Sequence, residues 1–205
     1  MATRNQVNSI GLKTISDFKS RLAGGGARPN LFEVELAFPS AVGIDGEVLA
    51  KSRFLVKAEA LPASTVAPIE VPFRGRILKI AGDRTFETWT ITVINDTDFS
   101  IRSSFEKWMN IINKMENATG LQMPERYQKD AVVHQLDRDG SVLRSYKMKD
   151  IWPTNVSTID LNYETVDTVE DFTVEMQVHW WEATKGTAKL ETVAGGTSTG
   201  GIDIR

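Results

Sequence analysis

The chain has 205 residues, with 24 Lys plus Arg against 27 Asp plus Glu, and no cysteine. The missing thiols exclude cysteine nucleophiles, cysteine zinc sites and disulfides, while a net charge of −3 opposes a broad grip on nucleic acid. At 41% hydrophobic and 25% charged, the composition is that of a globular domain able to bury a core, with no apolar run long enough to span a membrane and no secretory-type apolar stretch near Met1.

Residues 1–29 read as an arm. Ile15, Phe18 and Leu22 recur at spacings of three and four, which predicts a short helix near 14–23 ended by Gly24, Gly25 and Gly26. One such stripe is too small to be stable alone, so it is expected to lie on the body or on another molecule. The period then changes to two. Phe32, Val34, Leu36 and Phe38 alternate with Glu33 and Glu35 as a strand with one wet face. Gly43, Asp45 and Gly46 mark residues 40–52 as a long hairpin loop, with Phe54, Val56, Ala58 and Ala60 on the returning strand.

Pro62, Pro68 and Pro72 confine the next stretch to an edge or bulged position, since proline cannot donate to a ladder. The alternation of Ile69, Val71 and Phe73 slips between Gly75 and Ile80, which predicts a bulge there, and Gly82-Asp83 predicts a turn. Trp89, Ile91 and Val93 alternate with threonines as a strand. Phe105, Trp108, Met109, Ile112 and Met115 fall on one helical face and predict a helix over about 99–116, capped by Asp98 or Ser100.

Strands are expected near 127–137 and 142–152 around a turn at Asp139-Gly140, and again at Ile159, Leu161 and Tyr163 after Pro153 and Asn155. The most regular alternation runs through Phe172, Val174, Met176, Val178 and Trp180. Residues 183–205, with Gly195, Gly196, Gly200 and Gly201, read as a flexible Gly-rich tail. Eight or so strands with one solid helix make the fold mainly β: an antiparallel β-sandwich or barrel with one flanking α-helix, over residues 30–182. Such a sheet has edges, which are either blunted or used to pair with another chain.

A search for chemistry finds little. His134 and His179 each lack a second ligand at metal spacing, and Asp137, Asp139 and Gly140 lack the later oxygen ligands of a calcium loop. The glycine clusters are not followed by Lys-Ser or Lys-Thr, so no phosphate loop is expected. The acid pairs Glu33 with Glu35 and Asp96 with Asp98 read as a wet strand face and a helix cap rather than a hydrolytic dyad. No enzyme activity, metal or cofactor is expected. Consecutive Trp180 and Trp181 face opposite sides of a strand, so one of them is free for a protein contact or, in a carbohydrate-binding reading, for Trp181 to stack on a sugar.

Six strings in order across residues 27–182 carry a resemblance: ARPNLFEVEL (27–36), KAEALPASTV (57–66), AGDRTFETWTITVINDTDF (81–99), FEKW (105–108), IWPTNVSTIDLNYE (151–164) and FTVEMQVHWWE (172–182). Together they resemble the tail tube proteins of contractile-tailed bacteriophages. The resemblance implies a virion tail component, assembled in the host cytoplasm, whose hexameric rings stack into a tube that conducts DNA without binding it specifically. It implies as partners other copies of the chain, a sheath, a baseplate hub, a tape measure and a tail terminator, with no membrane insertion. The tube proteins of type VI secretion and of tailocin-like particles share the fold and are the alternative reading.

By the same resemblance the arm, the loop over 40–52 and the segment 61–72 are expected to meet the neighbouring subunit or ring. Phe18, Arg28, Pro29, Asn30, Asp45, Leu61, Pro62, Pro68, Pro72, Asp83, Arg84 and Trp181 are the candidate assembly residues. Turn and cap geometry within the subunit is the competing account of several of them, Arg28 to Asn30 and Asp83 to Arg84 above all. The longer first loop, the arm and the tail after Glu182 depart from the expected pattern.

Overall fold

The computed structural model describes residues 14–22 and 25–185. The expected tail beyond 185, and Gly24, lie outside the described residues. Among those described, the chain forms α1 (Ile15–Arg21), β1 (Phe32–Leu36), a 3-10 turn (Ser40–Val42), α2 (Gly46–Leu55), β2 (Val56–Glu59), β3 (Ser64–Phe73), β4 (Arg76–Phe86) and β5 (Trp89–Ile94). It continues with α3 (Ser100–Ile112), α4 (Pro124–Tyr127), β6 (Lys129–Leu136), β7 (Val142–Val156), β8 (Asp171–Gln177) and β9 (Trp180–Lys185).

The body is one strongly bent antiparallel sheet in the order β1-β6-β7-β8-β5-β2, with β9 also on β7. Strand β7 is the hinge of this arrangement. Its first half pairs with β6 on one side and β9 on the other, and its second half pairs with β8. Between the halves Asp150 takes φ 55°, and opposite it the β8–β9 strand breaks at Val178 and His179. A corner made by strands that switch sheets through such irregularities is how two packed layers share one core.

That core holds Val34, Leu36, Trp89, Ile91, Val93, Ala131, Val133, Met148, Phe172, Val174 and Met176 from the strands. Alternation puts them there: every second residue of β5 and β8 is buried. Helix α3 closes one end with Ile101, Phe105 and Trp108. Phe105 and Trp108 lie parallel at 6.3 Å, and Phe38 packs on both at 5.2 and 5.4 Å. The Trp108 indole also donates to the Tyr127 carbonyl at 2.7 Å, so this buried ring leaves no polar atom stranded. The helix ends at Ile112, earlier than its periodicity suggests, and Met115 is exposed beyond it.

Four expectations need correction. Residues 40–52 are not a hairpin loop: they hold the 3-10 turn and most of α2, and β2 pairs with β5 rather than returning along β1. Asp45 stands at the N-cap of α2 with Glu47 in the first turn, and Ser52 and the half-buried Val48 and Leu55 turn inward. The turn and the bulge assigned to residues 75–83 exchange places. Arg74 and Gly75, at φ 46° and 80°, make a tight turn of the type a two-residue hairpin needs. Gly82 and Asp83 sit inside β4, where the register shifts against β3 between Val66 and Pro68.

Residues 157–170 form a loop instead of a strand, because Pro153 and Asn155 belong to the end of β7, where the register slips around the missing proline N–H. Trp180, finally, leaves the buried alternation of β8 and opens a new strand.

Candidate functional site

The acid pairs come first, since they were the nearest approach to a dyad. Arg53 of α2 reaches Glu35 at 2.9 Å and Glu33 at 3.9 Å, and His134 stands 4.0 Å from Glu35 while its other ring nitrogen meets Ser145 Oγ at 2.8 Å. The His134 contact, with Arg53 adding to it against burial, holds the Glu35 carboxyl below the usual range. Lys51, two residues before Arg53 on α2, bridges Asp96 at 3.1 Å and Asp98 at 2.9 Å. Its ammonium, and a backbone N–H from Ser100, pull Asp98 down to about 2. The first pair therefore ties α2 to β1, and the second ties it to the loop between β5 and α3.

One carboxyl behaves differently. Glu59, at the end of edge strand β2, is pushed up to about 7 by burial. The Trp89 indole N–H opposes that shift without meeting hydrogen-bond geometry, so Glu59 Oε2 and Trp89 Nε1 both remain unpaired in the isolated chain.

What the fold leaves uncovered is more informative than any cleft. Strands β3 and β4 pair with each other and with no other strand among the described residues, and the ten residues of β3 extend about 30 Å. The register places Ile69 beside Ile80 and Val71 beside Leu78 on one face, with Phe73 continuing the stripe toward the turn. The other face carries Glu70 and Lys79, paired at 3.3 Å. All five apolar side chains of the stripe are exposed, Phe73 by 67%. An isolated two-stranded ribbon is marginal in water, and an apolar face this long on it is a contact surface lacking its partner.

Further open surfaces are of the same kind. Helix α1 buries none of its residues, so Ile15, Phe18 and Leu22 line an uncovered stripe. Among the described residues β1 pairs only with β6, β2 only with β5 and β9 only with β7, which leaves three open strand edges.

Of the candidate assembly residues, five fall on the ribbon or on α1. Phe18 is on α1; Pro68 and Pro72 are exposed on β3, and Asp83 and Arg84 on β4, where Arg84 donates to Ser64 Oγ at 3.2 Å. Leu61 is exposed and Pro62 half-buried in the lead into the ribbon. Arg28, Pro29 and Asn30 are exposed at the turn before β1, where the Arg28 carbonyl accepts from Gln135 Nε2 at 2.7 Å. Asp45 is exposed and its carbonyl accepts from Val48 and Leu49 N–H, starting α2.

Trp181 is used inside the chain. It packs edge-on against Phe86 and Tyr146, and its indole N–H meets the Ala63 carbonyl at 3.3 Å, so it fixes the ribbon's base to the body. The outward tryptophan is Trp180. Sequence reasoning expected a contact over 61–72 from the resemblance, but missed that Leu78 and Ile80 of β4 complete one apolar face with Ile69, Val71 and Phe73.

A bent antiparallel β-body that presents an amphipathic ribbon, an apolar helix stripe and open strand edges defines a structural subunit built to assemble. The phage tail tube protein family model matches residues 27–184. Tail tube protein gp19 of Enterobacteria phage T4 is 36% identical over 161 residues, which are 78% of this chain and 93% of that protein. The tail tube protein of Serratia phage KSP90 is 27% identical over 168 residues, 81% of this chain and 94% of its own length. The chain belongs to the phage tail tube protein family. Its fold also matches a chain of the sheath-tube complex of an extracellular contractile injection system, with a TM-score of 0.57 at 11% identity over 81% of this chain and 97% of that one. At that identity the match speaks to the fold alone.

Proposed function

We propose that the chain is the repeating subunit of a contractile phage tail tube, in which hexameric rings stack into a hollow cylinder that conducts DNA. The observation that carries this reading is the exposed apolar face of β3 and β4, in a chain that aligns with 93% of a tail tube protein's length. The mechanism needs no turnover. Each copy covers its neighbour's apolar faces and strand edges, and the assembled wall is the function. A net charge of −3 suits a wall along which a polyanion slides without sticking.

Copies of itself are thus its first partners. Sheath, baseplate hub, tape measure and tail terminator follow from the tube role, as do assembly in the host cytoplasm and residence in the virion tail. The tube of a type VI secretion or tailocin-like machine is the second reading, since such tubes share the fold. Electron microscopy of the purified full chain tests the proposal. Rings or tubes with six-fold end views are the expected result, and monomers alone at millimolar concentration, even with tail extract added, would contradict it.

A further inference from the structure

The ribbon and the long loop over 157–170 leave the body at opposite ends of the same strands. Strand β5 runs from Trp89 at the ribbon end, where Trp89 faces Met176, to Ile94, which faces Asp171 at the loop end. Strand β2 begins at Val56 beside the loop end and finishes at Glu59, from which the chain leads into the ribbon.

The two features are also chemical complements. At the ribbon's tip Arg74 and Arg76 form no ion pair among the described residues, and Arg74 lies 5.3 Å over the Phe73 ring. The loop contains Asp160, Glu164, Asp167 and Glu170 and neither lysine nor arginine. Its ends are pinned, by Arg102 donating to the Ser157 carbonyl and Asn95 to Glu170, while Asp160, Glu164 and Asp167 form no ion pair among the described residues. Between the acids stand Leu161, 87% exposed, with Tyr163, Val166 and Val169 also in the open. The loop and the start of β8 line an open cavity of about 920 Å³.

We infer that the ribbon tip of one copy docks on the acidic, apolar loop of the next copy along the tube. Arg74 and Arg76 meet Asp160 and Glu164, and the Phe73 end of the stripe covers Leu161 and Tyr163. This rests on the tube reading and adds its polarity. Two different surfaces at opposite ends of one subunit make a head-to-tail contact that does not close on itself, and its repetition gives a filament with a direction. Opposite charges set the register and reject the inverted approach, in which ribbon would meet ribbon and arginine would meet arginine.

The test uses the full chain with Arg74→Glu/Arg76→Glu, with Asp160→Lys/Glu164→Lys, and with all four changes, observed by electron microscopy and sedimentation. Each reversed pair alone is expected to raise the concentration needed for tubes at least about tenfold, because like charges then face each other. The four changes together are expected to restore tubes, since the pairing is only inverted. Unchanged assembly by either reversed pair, or no rescue in the fourfold variant, would overturn the inference. All four residues are exposed, so circular dichroism of each variant matches the wild type.

A second probe exploits the absence of native cysteine. Tubes of Arg76→Cys/Glu164→Cys, once oxidised, are expected to run as a ladder of covalent multimers on a non-reducing gel. Intact tubes that give only monomer bands would also overturn it. Failure of the wild-type chain to assemble at all is a different result, and it sinks the tube proposal itself.

Discussion

Glu59 is a carboxylic acid that the isolated subunit holds half-protonated near neutral pH, about 7 against the ordinary 4.5. Its folded pKa is raised, so the folded chain binds the proton more tightly than the unfolded one, and stability falls as pH rises from 4.5 through 7. The depressed carboxyls, Glu35 and Asp98, act in the other direction. Their contribution is present above the ordinary carboxylate range and is lost only as the solution becomes more acidic than that. Between pH 5 and 8 the Glu59 effect therefore stands clear of theirs. Urea unfolding of the unassembled subunit is expected to show Glu59→Gln more stable than wild type at pH 8, by on the order of 1 kcal/mol once solvent screening is allowed for, and nearly equal at pH 5. Trp108 offers a second case. Trp108→Phe keeps the stacking on Phe105 but strands the Tyr127 carbonyl, for a loss of about 1–3 kcal/mol, whereas Trp108→Ala costs about 3–5 kcal/mol by emptying the site as well. The same unfolding curves measure both.

Among the elements, those with one buried face were legible in the sequence and those shaped by local backbone needs were not. The threonine-interleaved alternation of Trp89, Ile91 and Val93 and the helical spacing of Phe105 and Trp108 report burial directly, and β5 and α3 follow. Helix α2 was hidden because Gly43, Asp45 and Gly46 look like loop, although an Asp before Gly-Glu is also a helix start. The turn at Arg74-Gly75 and the bulge at Gly82-Asp83 were confused for a related reason: both sites want glycine, one for positive φ and one for space. A Cβ on Gly82 would stand 2.6 Å from the Ala67 carbonyl oxygen. Gly82→Val is therefore expected to deform the ribbon and abolish tubes by microscopy. The body shares no strand with β3 or β4, so its thermal unfolding should shift by less than about 0.5 kcal/mol. A body that unfolds with the ribbon would contradict this division.

For the whole molecule, periodicity established that the ribbon has an apolar face but not which chain covers it. A stripe such as Ile69, Val71 and Phe73 reads the same whether its partner is the subunit's own sheet or a neighbour's. The family's ordered strings, from Ala27 to Glu182, supplied the class of protein that the alternation alone did not. Most of the candidate residues are exposed; Trp181 instead packs on Phe86 and Tyr146, whose distant strands no local pattern brings to it. The shape that results is a domain with a complete core and an incomplete surface. Its apolar core packs from its own chain, with Trp89 Nε1 and Glu59 Oε2 left unpaired, while its ribbon and α1 stripe stay exposed and its outer strand edges unpaired among the described residues.

Amide hydrogen exchange, comparing the dissociated subunit with the assembled tube, reaches that central point most directly. Residues 64–86 should exchange fast in the free subunit, where a lone two-stranded ribbon frays, and slow by orders of magnitude in the tube, while β5 and β8 stay protected in both. Equal protection of the ribbon in the two states would mean that the subunit already covers it unaided, and the account would be wrong.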